Sequence, residues 1–132
     1  MTAADTDFIR SAMPLCASLG IEADALSPER VVLRLDWRPE LCTSGGLLHG
    51  GVLMALADSA GGACAFVNLP EGAKRTATIE SKTNFLGAVM DGTVIATATP
   101  LHVGSTTIVI ETEVRHGDRL VAKVTQTQAV LR

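Results

Sequence analysis

One acid stands among apolar and small neighbours that stretch for more than a turn on either side. Asp58 follows Val52-Leu53-Met54-Ala55-Leu56-Ala57 and precedes Ser59-Ala60-Gly61-Gly62-Ala63, within a stretch that reads as one long helix over 51–67. A carboxylate in such company is partly desolvated, which costs free energy unless it is paired and raises its pKa. A base or nucleophile needs that kind of setting. The structural alternative is an acid bonded to Ser59 or to a neighbouring strand that only specifies packing. The start of the same helix favours chemistry. His49-Gly50-Gly51 places two glycines where backbone N–H groups are unsatisfied and the helix dipole is positive, a combination able to hold a developing oxyanion.

Spacing constrains how these parts work together. Gly50 and Asp58 are eight residues apart, about 12 Å along a helix axis at about 1.5 Å per residue. One helix cannot bring both to the same carbonyl carbon. Two antiparallel copies can, with Gly50 of one subunit facing Asp58 of the other, so an acyl-transfer site here is expected across a dimer interface. Gly61-Gly62 in the helix interior costs about 1 kcal/mol each relative to alanine and is expected where two central helices cross closely.

The elements that must position these residues follow from hydrophobic periodicity. Residues 5–18 have helical spacing, ending at Gly20. Residues 20–26 and 29–36 read as strands turned at Ser27-Pro28, and 37–48 as irregular because of Pro39 and Gly45-Gly46. The helix over 51–67 is apolar nearly all round, which predicts burial all round. Four β segments follow, over 74–86, 93–103, 105–115 and 119–131, joined by short turns that imply an antiparallel meander. The fold class is α+β: one domain over residues 1–132, with an antiparallel sheet around a central helix.

Composition excludes several function classes. The chain has 132 residues, is 47% hydrophobic and carries a formal net charge of -3. It therefore has no electrostatic footprint for nucleic acid and no basic amphipathic helix for a membrane surface. No run approaches about 18 uninterrupted apolar residues, and no leader is evident, so a cytoplasmic location is expected. With three Phe, one Trp and no Tyr, base-stacking platforms and aromatic cages are not expected. The apolar content is high for so small a domain, which predicts self-association. Cys16, Cys42 and Cys64 are odd in number and lack a C-x-x-C pattern, so they read as small buried hydrophobes in a reducing compartment. His102 and His116 have no acids at metal-ligand spacing, and Glu80 reads as part of a solvated strand face.

Leu48-His49-Gly50-Gly51-Val52-Leu53-Met54-Ala55-Leu56-Ala57-Asp58 resembles the signature of hotdog-fold thioesterases. The nearest branch is the phenylacetate-pathway type, related to the Arthrobacter-type 4-hydroxybenzoyl-CoA thioesterases. Residues 78–86 resemble that branch's next strand, and Gly117-Asp118-Arg119-Leu120-Val121-Ala122, with Thr125 and Thr127, its last hairpin. The resemblance runs from about residue 15 to the end. It implies a hotdog fold, homodimers often paired into homotetramers, and a hydrolase acting on acyl-CoA without metal or other cofactor, the coenzyme A being part of the substrate.

By position, Asp58 would be nucleophile or general base, the Gly50 N–H would polarise the thioester carbonyl, and His49 would shape the site. Thr78 falls where the family has a hydroxyl that positions the attacking water. Thr43, with Ser44 beside it, falls where relatives carry Asn or Gln. Gly51, Lys82, Gly104, Ser105 and Thr106 fall at substrate-contacting positions. Leu86-Gly87-Ala88 and His102-Val103-Gly104-Ser105-Thr106 lack the basic residues that contact CoA phosphates in relatives, which shifts that role to Lys74, Arg75 or Lys82. Two further readings on the same fold are a non-catalytic acyl-CoA-binding sensor and a hydratase or dehydratase, whose His-centred motif is absent.

Overall fold

The computed structural model describes residues 2–132. Two short helices, α1 (Ala3–Ala12) and α2 (Pro14–Leu19), lead into β1 (Glu22–Leu26) and β2 (Val31–Asp36). Then come two 3-10 turns (Pro39–Leu41 and Ser44–Gly46), α3 (Gly50–Val67), β3 (Arg75–Phe85), β4 (Thr93–Val103), β5 (Thr107–His116) and β6 (Arg119–Leu131). The single helix expected over 5–18 is two, because proline cannot continue a helix and Pro14 opens the second. The second ends at Gly20, whose φ of 74° is the left-handed cap that glycine supplies freely.

All six strands form one antiparallel sheet in the order β1-β2-β4-β5-β6-β3. A plain meander was expected. Only β4-β5-β6 is one, since β3 precedes them in the chain yet pairs with β6 at the far edge. The sheet curves over α3, which packs against β2, β3, β4, β5 and β6. Leu53, Leu56, Ala57, Ala60 and Cys64 of α3 meet Leu33, Leu35, Val94, Ala96, Ile108, Ile110 and Val124 in one core. At the far end of α3 the Asn68 amide caps the Cys64 carbonyl (2.8 Å) and reaches the Pro28 carbonyl (2.9 Å). The cysteines are free, and burial pushes the Cys64 thiol up to about 11, as befits an inert core group.

The helix is not buried all round. By length and composition α3 could cross a membrane, but one side lies on the sheet while Gly51, Met54, Asp58 and Phe66 are exposed on the other. These positions fall on one stripe at helical spacing. Beside the stripe runs β3, the edge strand, exposed along most of its length with Ile79 and Phe85 among its open side chains. Long open edges recruit other strands, and the apolar stripe of α3 lies beside this edge.

Gly61 differs from its expected role. A Cβ there would stand 2.3 Å from Nε2 of Gln126 on β6, so Gly61 lets α3 approach its own sheet; Gly62 faces open space. Gly61→Ala gains about 1 kcal/mol of helix propensity but overpacks the core by about 1–3 kcal/mol. We expect a net loss of about 1 kcal/mol in chemical denaturation. Unchanged stability would show that the Gln126 side chain yields.

Candidate active site

The helix start is shaped by His49. Its backbone is extended (φ -62°, ψ 133°) and its Nδ1 accepts the Gly51 N–H at 2.8 Å, leaving the ring proton on Nε2. Its carbonyl accepts the N–H groups of Val52 (2.9 Å) and Leu53 (3.3 Å). Of this first turn only the Gly50 N–H donates to nothing among the described residues. It borders a cavity of about 310 Å³ lined also by Thr43, Leu47, Leu53 and Phe85. A Cβ at position 50 would stand 3.1 Å from the Phe85 ring, and one at position 51 would stand 3.0 Å from His49 Nδ1. A side chain at either position would be tight, and its neighbour would have to give by a few tenths of an ångström. Gly51, expected among the substrate contacts, spends its N–H on His49 instead.

Asp58 opens onto a different cavity, of about 380 Å³, shared with Thr78, Thr76, Arg75, Gln128 and, from α1, Phe8 and Ile9. Its neighbours push its carboxyl above the usual aspartate range by desolvation, although the side chain is exposed in a single chain. The two observations agree if the carboxyl sits in a recess with apolar walls and an open mouth. Ser59 does not hold it: the Ser59 hydroxyl donates to the Ala55 carbonyl at 2.8 Å. Asp58 has no hydrogen bond or ion pair within the described residues, so the packing role has no partner to support it.

A β-bulge sets Thr78. Thr78 pairs with Gln128, and the register then shifts so that Glu80 pairs with Thr127. The extra residue, Ile79, changes the strand's parity, leaving Thr78 on the inner face and sending Glu80 to the outer one. There Glu80 accepts from the Thr127 hydroxyl (2.8 Å), away from the cavity.

The structure thus brings Asp58, Thr78 and Arg75 to one cavity and Gly50 and Thr43 to another, with no lining residue in common. Ser44 is exposed in the adjoining turn and lines neither. Lys82 lies on exposed β3, its Nζ donating to Asn84 (3.1 Å). Gly104, Ser105 and Thr106 make the β4–β5 turn, where backbone bonds and the Arg132 guanidinium hold them, apart from both cavities. Among the described residues no three His, Cys, Asp or Glu side chains cluster as metal ligands. His116 instead pairs with Asp91 at 3.3 Å.

Sequence reasoning missed Gln128 and Phe85. Gln128 carries a readable signal, since with Gln126 it continues the inward-facing alternation begun by Ala122 and Val124, where apolar residues belong. Phe85 had none, because only the fold brings the end of β3 to the start of α3.

Comparison with known proteins agrees with this architecture. Residues 45–123, more than half of the chain, match the thioesterase superfamily. A protein of Saccharolobus solfataricus named "Putative esterase SSO2140" is 33% identical over 115 residues, which cover 86% of this chain and 81% of that protein. The crystal structure of thioesterase HI1161 from Haemophilus influenzae superposes with a TM-score of 0.89 at 26% identity, covering 100% of this chain and 92% of that one. A thioesterase family protein from Silicibacter pomeroyi gives 0.86 at 31% identity, covering 98% and 97%. A curved antiparallel sheet over one long helix, a match across most of the sequence and these neighbours lead to one assignment: the chain belongs to the thioesterase superfamily and has its hotdog fold, which makes it a hydrolase of the thioester or ester class.

Proposed function

We propose that the protein hydrolyses acyl-CoA thioesters at a site completed by two subunits, with Asp58 of one and the Gly50 N–H of the other acting on the same carbonyl. The observation that carries this is the paired vacancy in bonding. The Asp58 carboxylate and the Gly50 N–H are each unpartnered in the described chain, lie in separate cavities, and are too far apart along α3 to meet. Antiparallel pairing of β3 edges would cover the α3 stripe and set one cavity against the other. Exposed Ile95, Leu101 and Val103 on β4 offer dimers a second apolar surface for pairing into tetramers.

In the joined site the thioester oxygen accepts from the Gly50 N–H, where developing negative charge meets a fixed donor at the helix start. Asp58 then attacks the carbonyl carbon, and the collapsing tetrahedral adduct expels the CoA thiolate to leave an anhydride that water opens. Alternatively Asp58 takes a proton from a water held by Thr78, and the hydroxide attacks. In either route a proton from water finally reaches the thiolate. Arg75, in the Asp58 cavity, is the cation best placed for an anionic part of the substrate.

Free-thiol release from aryl and from short, medium and long aliphatic acyl-CoAs tests the proposal. At least one class should reach kcat/KM of about 10⁴ M⁻¹s⁻¹ or more. Tight binding with thiol release at background for every class would instead identify an acyl-CoA-binding sensor.

A further inference from the structure

We propose that Gln128 is a positioning residue for thioester hydrolysis, its buried amide fixing the direction of the Thr78 hydroxyl. Gln126 and Gln128 lie side by side on the inner face of β6, 0% and 1% exposed, beneath α3 in a layer that is otherwise apolar except for Thr112 of β5. A buried amide costs about 1–3 kcal/mol for each group left unsatisfied; Gln126 Nε2 is such a group among the described residues, whereas the Gln128 amide has an acceptor for each of its hydrogens. Only one residue outside the pair receives them. Gln128 Nε2 has two hydrogens; one goes to Gln126 Oε1 and the other to Thr78 Oγ1 at 2.7 Å.

That count fixes what Thr78 can do. Its oxygen accepts from the amide, so its single hydrogen points away from Gln128, and Thr78, exposed on the single chain, borders the cavity shared with Asp58. Thr78 is thereby set as a donor to whatever occupies that cavity. The register makes the contact obligatory: Thr78 and Gln128 are direct cross-strand partners, and the bulge after Thr78 keeps both on the inner face. Gln126 holds the amide from the other side, and Gly61 leaves the room for Gln126 to do so. The chain Gln126–Gln128–Thr78 is a polar line running from the buried layer under the central helix out to Thr78 at the mouth of the cavity.

This inference rests on the proposed hydrolysis at Asp58 and Thr78, and a double-mutant cycle separates the two. Gln128→Met should lower kcat about 10-fold with KM unchanged, the size expected when a reacting group is turned out of line. In a Thr78→Val background the same change should have no further effect. An equal loss in both backgrounds, or full kcat in a folded Gln128→Met enzyme, overturns the role of Gln128 while leaving the Asp58 site intact. Full activity of Thr78→Val alone overturns the role of Thr78 and this inference with it, and an inactive Asp58→Asn enzyme would still uphold the rest of the site. If Gln128→Met does not fold, Gln128→Glu keeps the shape and replaces the donor by an acceptor once ionised. Its kcat relative to the wild type should then fall from about pH 6 to about pH 9, and a constant ratio across that range overturns the proposal.

Discussion

Asp58→Asn should lower kcat by about 10²–10⁴-fold while leaving the fold intact, the effect expected when a positioned base is removed. The substitution keeps side-chain size and removes only the charge and the proton-accepting oxygen. Asp58 supports no hydrogen bond or ion pair among the described residues, so nothing structural is lost with it. Two pH signatures should accompany the loss. Desolvation holds the Asp58 carboxyl above the usual aspartate range, so the acid limb of kcat/KM in the wild type should also lie above that range. For stability the sign is the reverse of that for a salt-bridged acid. A raised folded-state pKa contributes stability that is present below the unfolded value and is lost as pH rises through the folded one. The wild type therefore carries a small penalty at neutral pH. Asp58→Asn should melt slightly higher than wild type at neutral pH, with the gain vanishing at acid pH. Near-normal turnover of the best substrate by this variant would remove Asp58 from the chemistry.

Gly50→Pro should lower kcat/KM by about 10²–10³-fold, the cost of deleting one oxyanion donor. Proline at this position removes the N–H while sparing the helix, for two reasons. The first helical position tolerates proline because its N–H has no intrahelical partner. His49, which would precede it, already has φ -62° and ψ 133°, the extended geometry that a following proline demands. The new side chain would press the Phe85 ring, which stands 3.1 Å from a Cβ built at position 50 and must give by a few tenths of an ångström. Gly50→Ala controls for that crowding, since it adds the same Cβ and keeps the N–H. Alanine should retain most of the activity that proline loses. Equal losses in the two variants would assign the effect to crowding of the cavity instead.

Features with a local signal are legible in the sequence. Asp58 is legible because a charge interrupts an apolar helix, and His49-Gly50-Gly51 because a helix start with two glycines exposes backbone donors. Their separation along one helix is also legible, and with it the expectation that two subunits share the site. What the chain did not reveal depends on long-range pairing. The position of β3 beside β6, the bulge that turns Thr78 inward and Glu80 outward, and the arrival of Phe85 at the start of α3 are all set by register across the sheet. Hydrophobic periodicity also overstated the burial of α3. A helix apolar on every side looks the same whether its outer stripe meets a second sheet or is left open on the single chain. Gly61 is a similar case: a glycine pair in a helix signals close approach but does not say to what, and here the first of the two faces Gln126 of its own sheet.

Subunit complementation tests the shared site most directly. Asp58→Asn and Gly50→Pro chains bearing different tags would be co-expressed and purified through both tags, and the fraction recovered as dimers by size exclusion would contain one of each. If the site joins Asp58 of one chain to Gly50 of the other, each mixed dimer has one intact site and one doubly altered site. It should then recover about half of the wild-type thiol-release rate from two chains that are each nearly inactive alone. A mixed dimer no more active than its parents would contradict the shared site and place Asp58 and Gly50 in separate roles.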